Sequence, residues 1–128
     1  MSRILIADDE PHIRKLVSFT LGNRGYEVIE ASDGGEAVRL AGEVEPDLVL
    51  LDVMMPVMTG YDALRALKAD PATADIPVVM LSAKSQKTEV EEGLACGARE
   101  YICKPFTPKD LVARVAELLE TSGEGTAS

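Results

Sequence analysis

Five short apolar runs recur along the chain, at Ile4 to Ala7, Tyr26 to Ala31, Leu48 to Leu51, Val78 to Leu81 and Ala98 to Cys103. Runs of this length between polar or turn residues predict strands. The first, third and fourth are uninterrupted, as a strand covered on both faces requires. The second admits Glu27 and Glu30, and the fifth admits Arg99 and Glu100, so these two are predicted at the edges of the sheet.

The stretches between the runs carry helical spacing. Ile13, Leu16, Val17, Thr20 and Leu21 share one face, and so do Leu111, Val115, Leu118 and Leu119, because residues three and four apart lie together on a helix. Thr107-Pro108-Lys109-Asp110 supplies a capping hydroxyl, a proline at the first helical position and an acid in the first turn. Asp33 and Ser85 stand where further caps are needed, and Gly25 and Gly97 fit helix ends. Strand and helix alternating in this way imply right-handed crossovers, hence an α/β domain: a five-stranded parallel sheet with five helices distributed over both faces. With the second and fifth strands at the edges, 2-1-3-4-5 is the simplest order, a flavodoxin-like three-layer sandwich, although the pattern alone leaves other orders open. That order opens a crevice beside strand 1 at the carboxyl ends of the strands.

Composition narrows the picture. The 128 residues, 46% apolar and 27% charged, suit one domain with a core of its own. Residues 1–120 are expected to form it, and the small polar residues 121–128 to be a flexible tail or the start of a linker. Thirteen basic against 22 acidic residues give a net charge of −9, which opposes direct binding to nucleic acid or to a membrane and favours metal cations and basic protein surfaces. Cys96 and Cys103 read as small buried fillers in a reducing compartment, and Met1-Ser2-Arg3 leads into no secretory stretch, so a cytoplasmic location is expected.

In a sheet of this kind, residues just past the carboxyl ends of the strands converge. Here they are Asp8 and Asp9 after strand 1, Asp52 after strand 3, Ser82 after strand 4 and Lys104 after strand 5. Two like charges about 4 Å apart repel by roughly 4 kcal/mol at an effective dielectric near 20, so three carboxylates together call for a cation. Oxygen-only ligands match Mg²⁺, with Mn²⁺ as the alternative; the lone His12 and the separated cysteines make no zinc site. A carboxylate beside such an ion can attack phosphorus and become an acyl phosphate. Lys104, as a compact point charge, suits one phosphoryl oxygen, and the Ser82 hydroxyl suits another.

These residues and their contexts carry a resemblance. Asp8-Asp9, Leu50-Leu51-Asp52-Val53-Met54-Met55-Pro56-Val57-Met58-Thr59-Gly60, Leu81-Ser82-Ala83 and Tyr101-Ile102-Cys103-Lys104-Pro105-Phe106 are similar to the response-regulator receiver domain of bacterial two-component signalling, from about Arg3 to Leu119. The resemblance implies a phosphoryl-accepting switch rather than an enzyme. Asp52 accepts the phosphoryl group from a sensor histidine kinase or a histidine phosphotransfer protein. Asp8, Asp9, Asp52 and the backbone carbonyl of Met54 hold Mg²⁺, and Lys104 contacts the phosphate. Ser82 and Tyr101 occupy the switch positions that relay the change to the face of helix 4, strand 5 and helix 5, where a downstream protein or a second copy docks. Lys104-Pro105 matches a peptide bond usually cis in the family. Met54 and Lys84 fall at positions that tune hydrolysis of the acyl phosphate.

Other readings fit parts of the same pattern. Alone, Asp8-Asp9-Glu10-Pro11 is a good helix start and Asp52 a turn aspartate. A phosphatase of the haloacid-dehalogenase type would share the acidic Mg²⁺ site, but its Asp-x-Asp pattern is met here by Asp52-Val53-Met54, without the second acid. A flavodoxin-like electron carrier would need a phosphate loop where Asp8-Asp9-Glu10-Pro11-His12 would repel one. His12 reads as an exposed helical residue, most methionines as packing, and Glu89, Glu91 and Glu92 as a solvated helix face.

Overall fold

A computed structural model describes residues 2–53, 55, 58–82, 97–104 and 106–127, the last eight by backbone alone. Strands β1 (Arg3–Ala7), β2 (Glu27–Ala31), β3 (Leu48–Asp52), β4 (Val78–Ser82) and β5 (Glu100–Cys103) form one parallel sheet in the order β2-β1-β3-β4-β5. Helices α1 (Pro11–Gly22), α2 (Gly34–Val44), α3 (Gly60–Ala69) and α4 (Pro108–Ala127) are the four among the described residues. The segment expected to carry a helix between β4 and β5, with Ser85, Glu89, Glu91, Glu92 and Cys96, lies outside them.

Alternation along each strand sorts the core into two layers. Ile4, Ile6, Leu48, Leu50, Val79 and Leu81 face one way and pack with Val17 and Leu21 of α1 and Leu111, Val115 and Leu118 of α4. Leu5, Ala7, Val49, Leu51, Val78 and Met80 face the other and pack with Ala37 and Ala41 of α2 and Ala63, Leu64 and Leu67 of α3. Each large apolar side chain so buried is worth about 1.5–3 kcal/mol of transfer free energy before entropy is set against it. The edge strands carry the charges, as the sequence pattern predicts. Glu30 on β2 is met by α1: the Ser18 hydroxyl donates to it at 2.8 Å, and Lys15 Nζ and Arg14 Nε lie 3.2 and 3.5 Å from its carboxylate.

Two caps stand where the sequence places them, at Asp33 and Thr107, and Thr59 caps α3 without having been singled out. Asp33 accepts from the Glu36 N–H at 2.8 Å, Thr59 from Asp62 at 3.2 Å and Thr107 from Asp110 at 3.0 Å. Gly25 (φ 91) and Gly97 (φ 111) take left-handed backbone that side chains resist. At α1, however, Glu10 is the N-cap and its side chain makes no capping bond; the helix starts on Pro11 instead. Asp8 and Asp9 therefore do not serve as helix caps.

Two features differ from the sequence reading. Cys103, expected to be buried, is exposed with a free thiol, because the last residue of edge strand β5 has no further strand beside it. Leu16, placed by its spacing on the apolar face of α1, is 36% exposed, since the buried arc of that helix holds only Val17 and Leu21 fully; Phe19 on the same helix is 71% exposed. The backbone of α4 runs from Pro108 through Ala127.

Candidate functional site

The site is built at the carboxyl ends of β1, β3, β4 and β5. Leaving the sheet, β1 turns sharply: Asp8 N–H still bonds Ala31 O at 3.2 Å, and Asp8 Oδ1 then accepts the Glu10 N–H at 2.9 Å. That turn buries the Asp8 carboxylate completely and leaves Asp9 exposed beside it. On β3, Asp52 pairs with Leu81 of β4 in the parallel register and is 5% exposed. Carboxylate oxygens of Asp8, Asp9 and Asp52 all lie within 4.8 Å of one another.

Lys104 reaches this cluster from the end of β5. Its backbone N–H donates to Ser82 O at 2.6 Å, which fixes the turn, and its ammonium donates to Asp8 Oδ2 at 2.8 Å. The same Nζ lies 3.3 Å from Asp52 Oδ1 and 3.8 Å from Glu10 Oε1, in a side chain only 12% exposed. Burial pulls the Lys104 ammonium down, but the hydrogen bond to Asp8 and the charges of Asp52 and Asp8 outweigh it and raise its pKa above the ordinary lysine value. Lys104 is thus a fixed positive charge, and with three carboxylates it leaves a formal charge of minus two.

This donor set fits a hard divalent cation. It offers three carboxylate oxygens close together, two from nearly inaccessible side chains and one from Asp9, which keeps the cluster open to solvent. The remaining negative charge equals that of the cation.

Around this centre the structure brings Asp8, Asp9, Asp52 and Lys104 together, with Ser82 buried on the adjacent strand end. Tyr101 is not in the charged cluster: it lies on β5 in register with Met80, and its hydroxyl oxygen is 2.8 Å from that of Tyr61. Met54, Lys84 and the Lys104-Pro105 peptide bond lie outside the described residues. His12 is exposed, 3.5 Å from the Glu10 carboxylate.

Some neighbours of the site carry no signal in the sequence. Arg14 Nη1 donates to the Asp8 carbonyl at 2.6 Å, tying α1 to the acidic turn. Gly60 opens α3 directly against Asp52: a side chain there would collide with the Asp52 carbonyl and meet the Met80 methyl at 2.9 Å, while its N–H donates to Val53 O at 2.9 Å. Only the Thr59-Gly60 cap pattern hints at that helix start.

Residues 4–116 match the response regulator receiver domain. This chain belongs to that family. The receiver is 43% identical over 122 residues to the phosphate regulon transcriptional regulatory protein PhoB of Pseudomonas aeruginosa, covering 95% of this chain and 53% of that protein. It is 42% identical over 125 residues to the DNA-binding response regulator MtrA of Mycolicibacterium smegmatis, covering 98% and 54%. It spans about half the length of these curated relatives. Among solved structures it is similar to chemotaxis protein CheY4 of Vibrio cholerae, with TM-score 0.88 and 37% identity over 91% of this chain and 98% of that one. A CheY-like receiver from Methanospirillum hungatei gives 0.89 and 30% over 98% of each.

The receiver is a phosphoacceptor switch module of two-component signalling, not a catalytic enzyme, and receivers of this kind partner with histidine kinases. Its acidic triad is consistent with the divalent metal site typical of the family. Among the described residues, no helix is long and apolar enough to cross a membrane.

Proposed function

We propose that Asp52 is the phosphoacceptor. The observation that supports this most is its placement: a carboxylate almost sealed from solvent, 3.3 Å from the Lys104 ammonium and joined to Asp8 and Asp9 within 4.8 Å. One Asp52 oxygen attacks phosphorus, the new P–O bond forms as the bond to the donor's imidazole nitrogen breaks, and the electron pair leaves with that nitrogen. Lys104, now held by Asp8 and Asp52, balances the charge on one phosphoryl oxygen, and Ser82 donates its hydroxyl to another. Mg²⁺, with Mn²⁺ as the alternative, would be held by Asp8, Asp9, Asp52 and the Met54 carbonyl, and supplies charge neutralisation that lets two anions approach.

The signal then passes from Ser82, drawn toward the phosphoryl group, to Tyr101, which turns into the space vacated. This reshapes the output face of β5 and α4, to which the resemblance adds the helix expected between β4 and β5. The donor is a sensor histidine kinase or a histidine phosphotransfer protein, the output a downstream protein or a second copy, without direct contact to nucleic acid or membrane, and the setting is cytoplasmic. Residues 1–120 constitute the switch unit and 121–128 its tail or linker. The resemblance puts Met54 at a position that tunes hydrolysis of the acyl phosphate, so Met54→Asn is expected to shorten its lifetime in a radiolabel decay measurement; equal half-lives contradict that role.

The chemical class is tested by treating the receiver with acetyl phosphate and Mg²⁺ and then with hydroxylamine, which cleaves acyl phosphates. Label that hydroxylamine removes, and that Asp52→Asn never acquires, supports the reading. Label resistant to hydroxylamine overturns it.

A further inference from the structure

We propose that Tyr61 is a positioning residue for Tyr101: a hydroxyl latch on α3 that holds the β5 ring in one setting and thereby sets how readily the output face changes. The inference rests on the reading of Tyr101 as a switch. Its basis is the contact between two tyrosines 40 residues apart, whose hydroxyl oxygens lie 2.8 Å from each other, with either able to donate.

The latch is anchored on the acceptor strand. Because Gly60 lacks a side chain, the first turn of α3 lies directly on the Asp52 carbonyl and on Met80, and the Gly60 N–H bonds Val53 O at 2.9 Å. Tyr61 is the next residue, so its backbone position is fixed by the end of β3. Met80 is the register partner of Tyr101, and both tyrosine rings are half-buried against the same core layer. Asp52 is therefore joined to the Tyr101 hydroxyl through Gly60 and its neighbour Tyr61, with Met80 lying against Gly60 and paired in register with Tyr101.

Turning the Tyr101 ring about its first side-chain torsion breaks the pair and sends both hydroxyls to other partners. A neutral hydrogen bond has a net worth that corresponds to about a 2- to 12-fold bias in a two-state ratio. A phenylalanine at position 61 would keep the packing and lose the bias. A purely structural role is rescued by that substitution, whereas a latch is not.

The experiment measures the distribution of Tyr101 ring settings by NMR side-chain couplings in the parent and in Tyr61→Phe, before and after acetyl phosphate and Mg²⁺, with intact mass recorded on the same samples. The expected result is a shift of about 2- to 12-fold away from the setting seen here in Tyr61→Phe before treatment. An unchanged Tyr101 distribution overturns the latch. A shifted distribution supports it even where no phosphoryl group appears on Asp52, a result that refutes the acceptor assignment alone. Should Tyr61→Phe fold poorly, Tyr101→Phe reports from the other side. Loosened Tyr61 couplings then support the latch, and unchanged ones overturn it.

Discussion

Along β1, β3 and β4 the strand bodies and the strand ends differ within a single residue step. Ile4 to Ala7, Leu48 to Leu51 and Val78 to Leu81 are apolar and wholly buried; the next residues, Asp8, Asp52 and Ser82, are polar and buried almost as deeply. Depth is nearly the same, so depth does not distinguish a core from a site. Partnership does. The strand bodies are satisfied by two apolar layers, whereas Asp8 depends on one backbone N–H and one ammonium, and Asp52 shares that ammonium. The middle of the sheet supplies the stability that lets its carboxyl end hold like charges together.

The largest expected effect lies in the strand bodies. Leu50→Ala removes a fully buried side chain from β3 and should cost about 2–5 kcal/mol, read from the midpoint of urea unfolding. A loss below about 1 kcal/mol would mean that the apolar layers are not what carries the charged end.

At the charged end the sign reverses. Removing repulsion should stabilise, so Mg²⁺ added to about a hundredfold above its dissociation constant should stabilise the parent by roughly 2.7 kcal/mol in thermal unfolding, and EDTA should abolish the gain. Asp52→Asn should show a smaller gain, since one of the three carboxylates is neutral. Equal gains in both proteins would place the cation elsewhere. Lys104→Ala works the other way: it strands the sealed Asp8 carboxylate and should cost about 1–3 kcal/mol while leaving the far-ultraviolet spectrum native. It should also uncouple phosphorylation from any change at the output face.

The smallest effect is at the β2 edge, where Glu30 gives the comparison a partly exposed reference. Burial pushes the Glu30 carboxyl up, but the Ser18 hydroxyl, the Lys15 bond and the charges of Lys15 and Arg14 together hold its pKa below the usual glutamate value. A carboxyl lowered on folding adds stability above its unfolded pKa and loses it as pH falls through the folded one. Glu30→Gln should therefore cost under about 1 kcal/mol at pH 7, and nothing once the solution is acid enough to protonate the parent. A penalty that persists in acid would assign the effect to packing.

Much of this arrangement was legible in the sequence because it is periodic or local. Unbroken apolar runs marked the central strands, and charges such as Glu30 and Glu100 marked the edges, since only an edge leaves them near water. Asp8, Asp9, Asp52 and Lys104 could be gathered because a parallel sheet delivers every strand end to one rim. What escaped depends on tertiary geometry. Nothing local to Tyr61 says that it meets Tyr101, because the meeting requires β4 and β5 to lie side by side with α3 seated on Met80. Cys103 misled for a related reason: small apolar residues are usually buried, but at the end of an edge strand this one faces out. The convergence of Lys104 with the acids was legible, but not which oxygen its ammonium bonds, Asp8 Oδ2 at 2.8 Å.

The central claim, that a sealed carboxylate at the end of β3 is made reactive by the charges gathered around it, is tested most directly by intact mass. The parent and Asp52→Asn are incubated with acetyl phosphate, each with Mg²⁺ and with EDTA. The account predicts a single phosphoryl adduct on the parent with Mg²⁺ and none in the other three samples. An adduct of equal yield on Asp52→Asn, or on the parent in EDTA, would contradict it.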